Sequence, residues 1–472
     1  MWQTLKMQEN DQDQAKPLFV KDMTDEQIRT GLADLRNSAL SVTLFAFDAS
    51  IAIDEDKPAI FMTERGEIMT LHNFFANGGG FRSGTGGSVY NDTLNANQIV
   101  IGPDVWEPDD GLKRCTFRVP HVADLLHNMD RFRAIEQANF GALPNFDVFT
   151  LDVAGAKISL THDVRSNGYY SRPTEIEPKF VIEFDMPRSI EKARNLVNKV
   201  VSFLSAALAR KLTVNEIRIS RNNTDEVNSA FKKNRKIIHD HTVKFYDPDK
   251  KTVVESQIGA ARSFVHVRND ADVDLFKQCL QQWLERGEEW GTPTALMLNS
   301  FELNREITAN RLLAATRWIE RIPGVDGATS IKEDHLNEII EAAIGKATAL
   351  GYSDLEVRMR GALAAIKTEN NRERLSRLAK KAGDAATVEF NYQGLAKAGM
   401  KVRDFRGKAA HGSIFLKDEE EQADFEVAIF ATECLAYLLM LVDLPLNAEA
   451  KKRLQRATPV RTFSHYWSQY TA

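Results

Sequence analysis

Arg406 and His411 are the pair in this 472-residue chain whose types and spacing suggest chemistry. Arginine is a permanent planar cation that grips a phosphate through two parallel hydrogen bonds. Histidine is the side chain best placed to move protons near neutral pH. Five positions apart, the two read as a phosphate clamp and a proton shuttle, the catalytic pair of a phosphodiester-cleaving site. They lie in the run from Lys401 to Gly412, where Lys401, Arg403 and Lys408 are candidate substrate contacts.

Helix geometry limits that reading. Five residues of a regular helix turn the side chain by about 500°, which leaves the two groups roughly 140° apart. They converge only if the helix distorts or ends near His411, as Gly412 permits, or if a second subunit completes the site. Ala409 and Ala410 would leave room for a substrate beside the imidazole. The plain alternative is a surface arginine and a histidinium at a helix C-terminus, where the dipole favours positive charge. Asp404 is spaced to pair with Lys408 in the favourable i, i+4 order.

The surroundings are basic. From Arg372 to His411 there are ten Lys and Arg residues against four Asp and Glu, a local charge of +6 in a chain of net charge -5. The chain as a whole therefore has no attraction for nucleic acid, and binding has to come from this patch. The patch suits a polyanion, or else it is a solvated helical face balanced in space by the acidic run Asp418 to Glu421.

Two other stretches invite chemistry. The glycines between Asn77 and Gly87 lack both the Gly-Lys-Ser/Thr ending and the strand-to-helix setting of a phosphate loop, so they read as a hairpin loop. His239 and His241 would share one face of a strand, but no third ligand accompanies them. The adjoining run Lys232 to Lys236 reads as a solvated surface loop. No metal and no cofactor is expected. Cys115, Cys279 and Cys434 form neither metal spacing nor a disulfide framework and read as thiols of a reducing cytosol. With 43% hydrophobic and 27% charged residues, the composition is that of a soluble globular protein. Residues 1–16 lack the apolar core of a signal peptide. The apolar run from Cys434 to Val442 falls short of the roughly 20 residues of a membrane span, so a cytoplasmic location with no membrane contact is expected.

The elements that must position the pair follow from periodicity. Residues 1–24 read as a tail and Asp25 to Leu40 as a short helix. From Ser41 the texture alternates as in strands: Val42 to Phe47, Ala59 to Met62, Gln98 to Ile101, Cys115 to Val119, Phe146 to Phe149, Lys157 to Leu160, Phe180 to Phe184, Leu212 to Ile219, Thr242 to Tyr246 and Ser263 to Val267. Many short strands at this spacing predict an antiparallel sandwich or barrel. It is interrupted by a helix from Ser189 towards Leu208 and closed by another over Asp274 to Arg286. Beyond about residue 298 only helical patterns remain. They cover Asn299 to Ile322, a helix opened by the capping box Ser330 to Glu333 and stopped by Gly351, another from the capping box Ser353 to Glu356, then Arg372 to Lys381, Thr387 to Ala410 and Glu419 to Asp443. The expected fold class is α+β multidomain. A β-rich, sandwich- or barrel-like domain (25–297) precedes an all-α helical-bundle domain (298–472).

Arg406 to Gly412, late in a helical domain and followed by one more long helix, resembles the Arg-x4–6-His signature of HEPN domains. Ala309 to Leu313, with Trp318 to Glu320 a turn or two later, is similar to the first-helix frame of that superfamily. Leu71-His-Asn-Phe-Phe75, Ser189 to Leu204 and Leu212 to Ser220 resemble the β-rich domain that precedes HEPN in ApeA-type anti-phage (abortive infection) proteins. The resemblance implies a sensing or regulatory amino-terminal domain that meets a phage-derived trigger, and a metal-independent endoribonuclease. It would act as a homodimer, with two motifs meeting over RNA in one cleft. Arg406 and His411 would be the catalytic residues. One position departs from the pattern: the residue after the arginine, usually polar, is Gly407. A non-catalytic helical scaffold for dimerisation or RNA binding is the competing expectation.

Overall fold

The computed structural model describes residues 18–22, 30–36, 40–47, 57–77, 80–84, 87–137, 146–153, 155–165, 175–246, 263–303, 306–325, 331–367, 369–387, 389–410 and 416–471. They fall into two compact units, one drawn from 1–201, 212–258 and 267–273, the other from 202–211, 259–266 and 274–472.

The first unit is an antiparallel β structure. Its first strands are β1 (Leu18–Asp22), β2 (Thr30–Asp34), β3 (Ser41–Phe47), β4 (Ala59–Thr63), β5 (Ile68–Ala76), β6 (Gly80–Gly84), β7 (Gly87–Gly102) and β8 (Leu112–Phe117). Helices α1 (Ala123–Leu126) and α2 (Met129–Gln137) precede β9 (Asp147–Val153), β10 (Ala156–Arg165) and β11 (Glu175–Arg188). Helix α3 (Ile190–Leu208), β12 (Glu216–Ser220), α4 (Thr224–Asn234) and β13 (His241–Phe245) complete the series. The pairing β3-β2-β1-β4-β5-β7 returns to β3, which closes a barrel. Alternate residues enter its core, as in β4, where Ala59, Phe61 and Thr63 are buried and Ile60 and Met62 half-buried. Val42, Leu44, Met69, Leu71, Leu94 and Ile99 join them in one apolar cluster. From the other end of β7 the order continues β13-β12-β8-β11-β10-β9 as an open arm. The sandwich- or barrel-like expectation is met by this closed barrel with its arm.

Several local expectations are corrected. Leu18–Asp22, read as part of a tail, is a strand between β2 and β4. Thr30–Asp34, read as helical, is also a strand, because partners on both sides override weak local propensity. A Cβ on Gly31 would lie 2.5 Å from the Thr43 carbonyl oxygen, so this close pairing needs glycine. The hairpin reading of the glycine-rich stretch, by contrast, agrees with its described residues: Gly80–Gly84 pairs antiparallel with β7 from Gly87 to Asn91. Ser263 to Val267 forms no strand, since the Ser263 hydroxyl bonds to its own backbone at Val265 (3.3 Å from the amide). The basic run after Phe231 is not a loop throughout: it begins in α4, which Asn223 and Glu226 open with a reciprocal capping box.

His162 on β10 is 2% exposed, and its ring lies 5.4 Å from that of His127. Burial, then the nearby His127 and Arg131, push the His162 pKa down to about 4. Its unfolded value of 6.5 lies above the folded one, so between these pH values the unfolded chain binds the extra proton. The associated stability is present above pH 6.5 and is lost as pH falls from there towards 4, by at most about 3 kcal/mol. Urea unfolding followed by β-sheet circular dichroism at pH 7.5, 6 and 5 should show this loss. His162→Phe should flatten the pH dependence, and an unchanged slope would rule out His162 as its source.

The second unit contains the last turns of α3 (202–208) and is otherwise helical. Its elements are α5 (Asp270–Leu284, with Asp270 to Val273 assigned to the first unit), α6 (Gly291–Glu302), α7 (Ala309–Arg321), α8 (Glu333–Ala349), α9 (Glu356–Ala364) and α10 (Asn371–Ala385). They continue as α11 (Tyr392–Met400), α12 (Val402–Ala410), α13 (Glu419–Leu441), α14 (Ala448–Leu454) and α15 (Thr458–Tyr470). Helix α13 is the axis. It is buried almost all round from Phe425 to Leu441, and α7, α10, α11 and α15 pack against it. Asp418 caps its first turn, accepting from the Glu421 amide at 2.8 Å.

Two long helices expected from periodicity are each broken in two. The pattern over Asn299 to Ile322 becomes α6 and α7, because Thr308 caps a new start by accepting from the Arg311 amide. The pattern over Thr387 to Ala410 becomes α11 and α12, meeting at Lys401 just after Gly399. The capping box at Ser353 is a 3-10 turn, with the helix starting at Glu356. Ser330 lies outside the described residues, and the helix expected there starts at Glu333. Gly351 stops it with a left-handed φ of 87°.

Candidate functional site

Helix α12 is seated by Phe405 and Ala409, which are buried one turn apart. The Phe405 ring meets that of Phe425 on α13 edge-on, with centroids 5.3 Å apart. This seat decides where the basic residues go. Arg403 and Arg406 are exposed and three positions apart, hence about 60° apart on the outward face. The Arg406 Nη2 reaches back to Glu320 on α7 at 2.7 Å. Lys408 Nζ takes Glu421 on α13 at 2.6 Å, not Asp404, so the expected local i, i+4 pair gives way to a carboxylate of the neighbouring helix. Lys401 Nζ donates to Asp424 at 2.6 Å and to the Tyr470 hydroxyl at 2.7 Å. Burial disfavours its charge, but these two bonds outweigh burial and raise its pKa above the ordinary lysine value. Arg403 has no ion pair with a described residue. His411, directly after Ala410, lies outside the described residues.

The local charge of +6 is therefore only partly available to a ligand. Arg377, Lys401, Arg406 and Lys408 meet Glu369, Asp424, Glu320 and Glu421, none of which belongs to the basic window. Arg403 and Arg406 are both exposed on α12, and a phosphate would compete with Glu320 for Arg406.

Gly407 occupies open space: a Cβ built there meets nothing within 4 Å. Glycine inside a helix costs about 0.5–1 kcal/mol relative to alanine. Gly407→Ala should therefore raise the urea midpoint of the helical unit by an amount worth that energy. A lowered midpoint would mean that the backbone at 407 departs from a helix.

A second cluster lies in the β unit. Arg221 donates to Asp104 (2.8 Å) and Asp110 (2.6 Å) and stacks over the Trp106 ring, 4.5 Å from its centroid. His241 Nε2 is 2.9 Å from Asp104 Oδ1, and its ring meets Trp106 edge-on. His72 Nε2 bonds to the Trp106 carbonyl at 2.9 Å. Burial works against both aspartates, yet Arg221, assisted by His241, holds their pKa values below the usual range. His239 is exposed and outside β13, so the two histidines do not share a strand face as expected from their spacing. Among the described residues no group of three or more His, Cys, Asp or Glu side chains could hold a metal.

Residues 36–265 match the family model of ApeA N-terminal domain 1. The chain carries an ApeA N-terminal domain. It matches no curated protein and no solved structure. The match covers β3 to β13, so the Arg221 cluster is a feature of the ApeA domain. His72 comes from the Leu71 to Phe75 stretch on which the resemblance rests. In the ApeA domain this histidine is 9% exposed and tied to a backbone carbonyl. Its neighbour Asn73 has a left-handed φ of 52° that turns the chain within β5. His72 ties the segment after β7 to β5, and Arg221 and His241 tie it to the end of β12 and to β13. No described helix is long and apolar enough to cross a membrane.

Proposed function

We propose that this ApeA-type chain serves anti-phage defence as a metal-independent endoribonuclease, its helical unit acting as a HEPN-like dimer. The observation that carries the reading is the seating of α12. Phe405 and Ala409 face inward, so Arg403 and Arg406 stand together on the open face of α12, eight and five positions before His411 in the sequence. The chemistry divides between the two catalytic residues. His411 takes the proton of a ribose 2′-hydroxyl or protonates the leaving 5′-oxygen, and Arg406 stabilises charge developing on the non-bridging phosphate oxygens. Dependence on the 2′-hydroxyl restricts cleavage to RNA. The separation of Arg406 from His411 around a helix is met by pairing two copies in one cleft. Arg403, Lys408 and Lys401 line the approach, the last two as balanced charges. The ApeA domain is the sensing part, meeting a phage-derived trigger.

The second reading is a scaffold that binds RNA or dimerises without cutting. Two observations favour it: Arg406 is already engaged by Glu320, and Gly407 leaves open space where the HEPN pattern is usually polar. Sequencing of RNA 5′ and 3′ ends after induced expression of wild type and His411→Ala separates the two. New ends that vanish in the variant support the nuclease; identical end profiles, with equal protection against phage, leave the scaffold.

A further inference from the structure

The basic run that follows Phe231 in the ApeA domain has no part in the function proposed above. We propose that it is a separate binding strip, which takes single-stranded nucleic acid independently of α12. Residues 227–239 contain four cations, Lys232, Lys233, Arg235 and Lys236, and no Asp or Glu. Every residue from Phe231 to Ile237 is exposed. The carboxylates that flank the run are already engaged, Glu226 by Lys113 and Asp240 by Arg114. None of the four cations has an ion pair with a described residue. Lys232 and Lys233 stand in the last turn of α4, where they also suit the helix dipole, whereas Arg235 and Lys236 lie beyond it.

The backbone adds a planar group to this charge. Arg235 caps α4 with a left-handed φ of 55°, and its amide donates to the Phe231 carbonyl at 2.9 Å. Its guanidinium lies over the Phe231 ring, 5.5 Å from the centroid, and Phe231 is still 46% exposed. Clustered cations beside an open aromatic ring match a single strand, whose phosphates pair with the cations while an unstacked base lies on the ring. A duplex hides its base faces. A lipid surface needs a broad apolar face, and among the described residues Phe231 is the one large apolar side chain that α4 exposes.

Fluorescence anisotropy of labelled oligothymidylate and oligouridylate, each about ten nucleotides long, tests the strip on the full-length chain. Every protein carries Arg403→Ala, Arg406→Ala and His411→Ala, so neither the exposed arginines of α12 nor cleavage enters the reading. Both strands should bind at low salt, with affinity falling as roughly the third power of salt concentration, the slope of four phosphate contacts. Lys232→Gln, Lys233→Gln and Lys236→Gln together should weaken both by at least about tenfold and flatten that slope. Phe231→Ser should weaken both by about fivefold or more and leave the slope unchanged. All these positions are exposed, and an unchanged circular dichroism spectrum checks that the variants fold. Binding of only one of the two strands through the strip upholds the proposal and tells which sugar it prefers. The proposal is overturned if neither strand binds, if the glutamine variant binds as tightly as its parent, or if Phe231→Ser costs nothing. Vesicles of phosphatidylcholine and phosphatidylserine in equal parts, and poly-glutamate, represent the other occupants. Capture of either as tightly as the strands would assign the run to a membrane or to an acidic protein, and would equally overturn it.

Discussion

His411→Ala should reduce RNA cleavage by about 10²–10⁴-fold, the range supplied by a positioned general acid or base. RNA affinity should change little, because the permanent cations of α12, Arg403 and Arg406, supply the phosphate attraction. Arg406→Ala should also lose activity, by about 10²–10³-fold, through charge stabilisation in the transition state. Arg406→Lys should recover only part of that loss, since an ammonium cannot grip two phosphate oxygens in parallel. Arg406 is half-exposed, with 51% of its side chain in solvent, and neither Arg406 nor Gly407 supports the core. The Arg406 variants should therefore keep the wild-type melting temperature, and each loss should read as chemistry. The measurement is cleavage of a labelled single-stranded RNA in EDTA, with fluorescence anisotropy for binding. Full activity in both alanine variants would refute the proposed mechanism.

The largest expected effect on stability comes from Glu433. It and Arg311 have side chains only 8% and 5% exposed, and the Ser300 hydroxyl adds a third bond to the carboxylate at 3.1 Å. Glu433→Ala leaves the guanidinium charged and buried with no carboxylate at Nε and Nη2, which should cost about 3–5 kcal/mol. The helical unit should then melt well below wild type, as followed by helical circular dichroism in urea. Replacing the pair together, Arg311→Met with Glu433→Leu, should recover most of the loss, because an apolar pair incurs no desolvation penalty. A double-mutant cycle reads the coupling directly. If Glu433→Ala loses less than about 1 kcal/mol, the pair does not hold α7 to α13.

The β-rich and all-helical halves were legible because each rests on a period: two for β4, and 3.6 for α7, whose buried Arg311, Leu312, Ala315, Trp318 and Ile319 form one stripe. What periodicity missed were the breaks. A single threonine at 308 and the junction at Lys401 cut helices without disturbing the apolar repeat on either side. Helices α14 and α15 also escaped notice, being short and partly exposed. The Arg406 and His411 pair was legible as spacing, but its electrostatics were not. Glu320 is brought to Arg406 by the packing of α7 beside α12, and the same holds for Arg311 with Glu433 across 122 positions. No local rule links such residues. Lys408 illustrates the contest: the helix offered Asp404, and the neighbouring α13 supplied Glu421.

Strand β7 sets the order in which the first unit can be completed. Its early half lies against β3 and β6, its later half against β5 and β13, and Ile101 stands opposite Thr242, about 140 residues further along the chain. A ribosome must finish most of the ApeA domain before that side of β7 acquires its neighbour. Until then Ile99, Val100 and Ile101 form a β-prone edge with open backbone groups, a template for joining other chains. Any product ending before Phe245 keeps that edge bare, so truncations inside the domain should aggregate during synthesis, whereas a cut after residue 273 spares every rung of the β7 ladder.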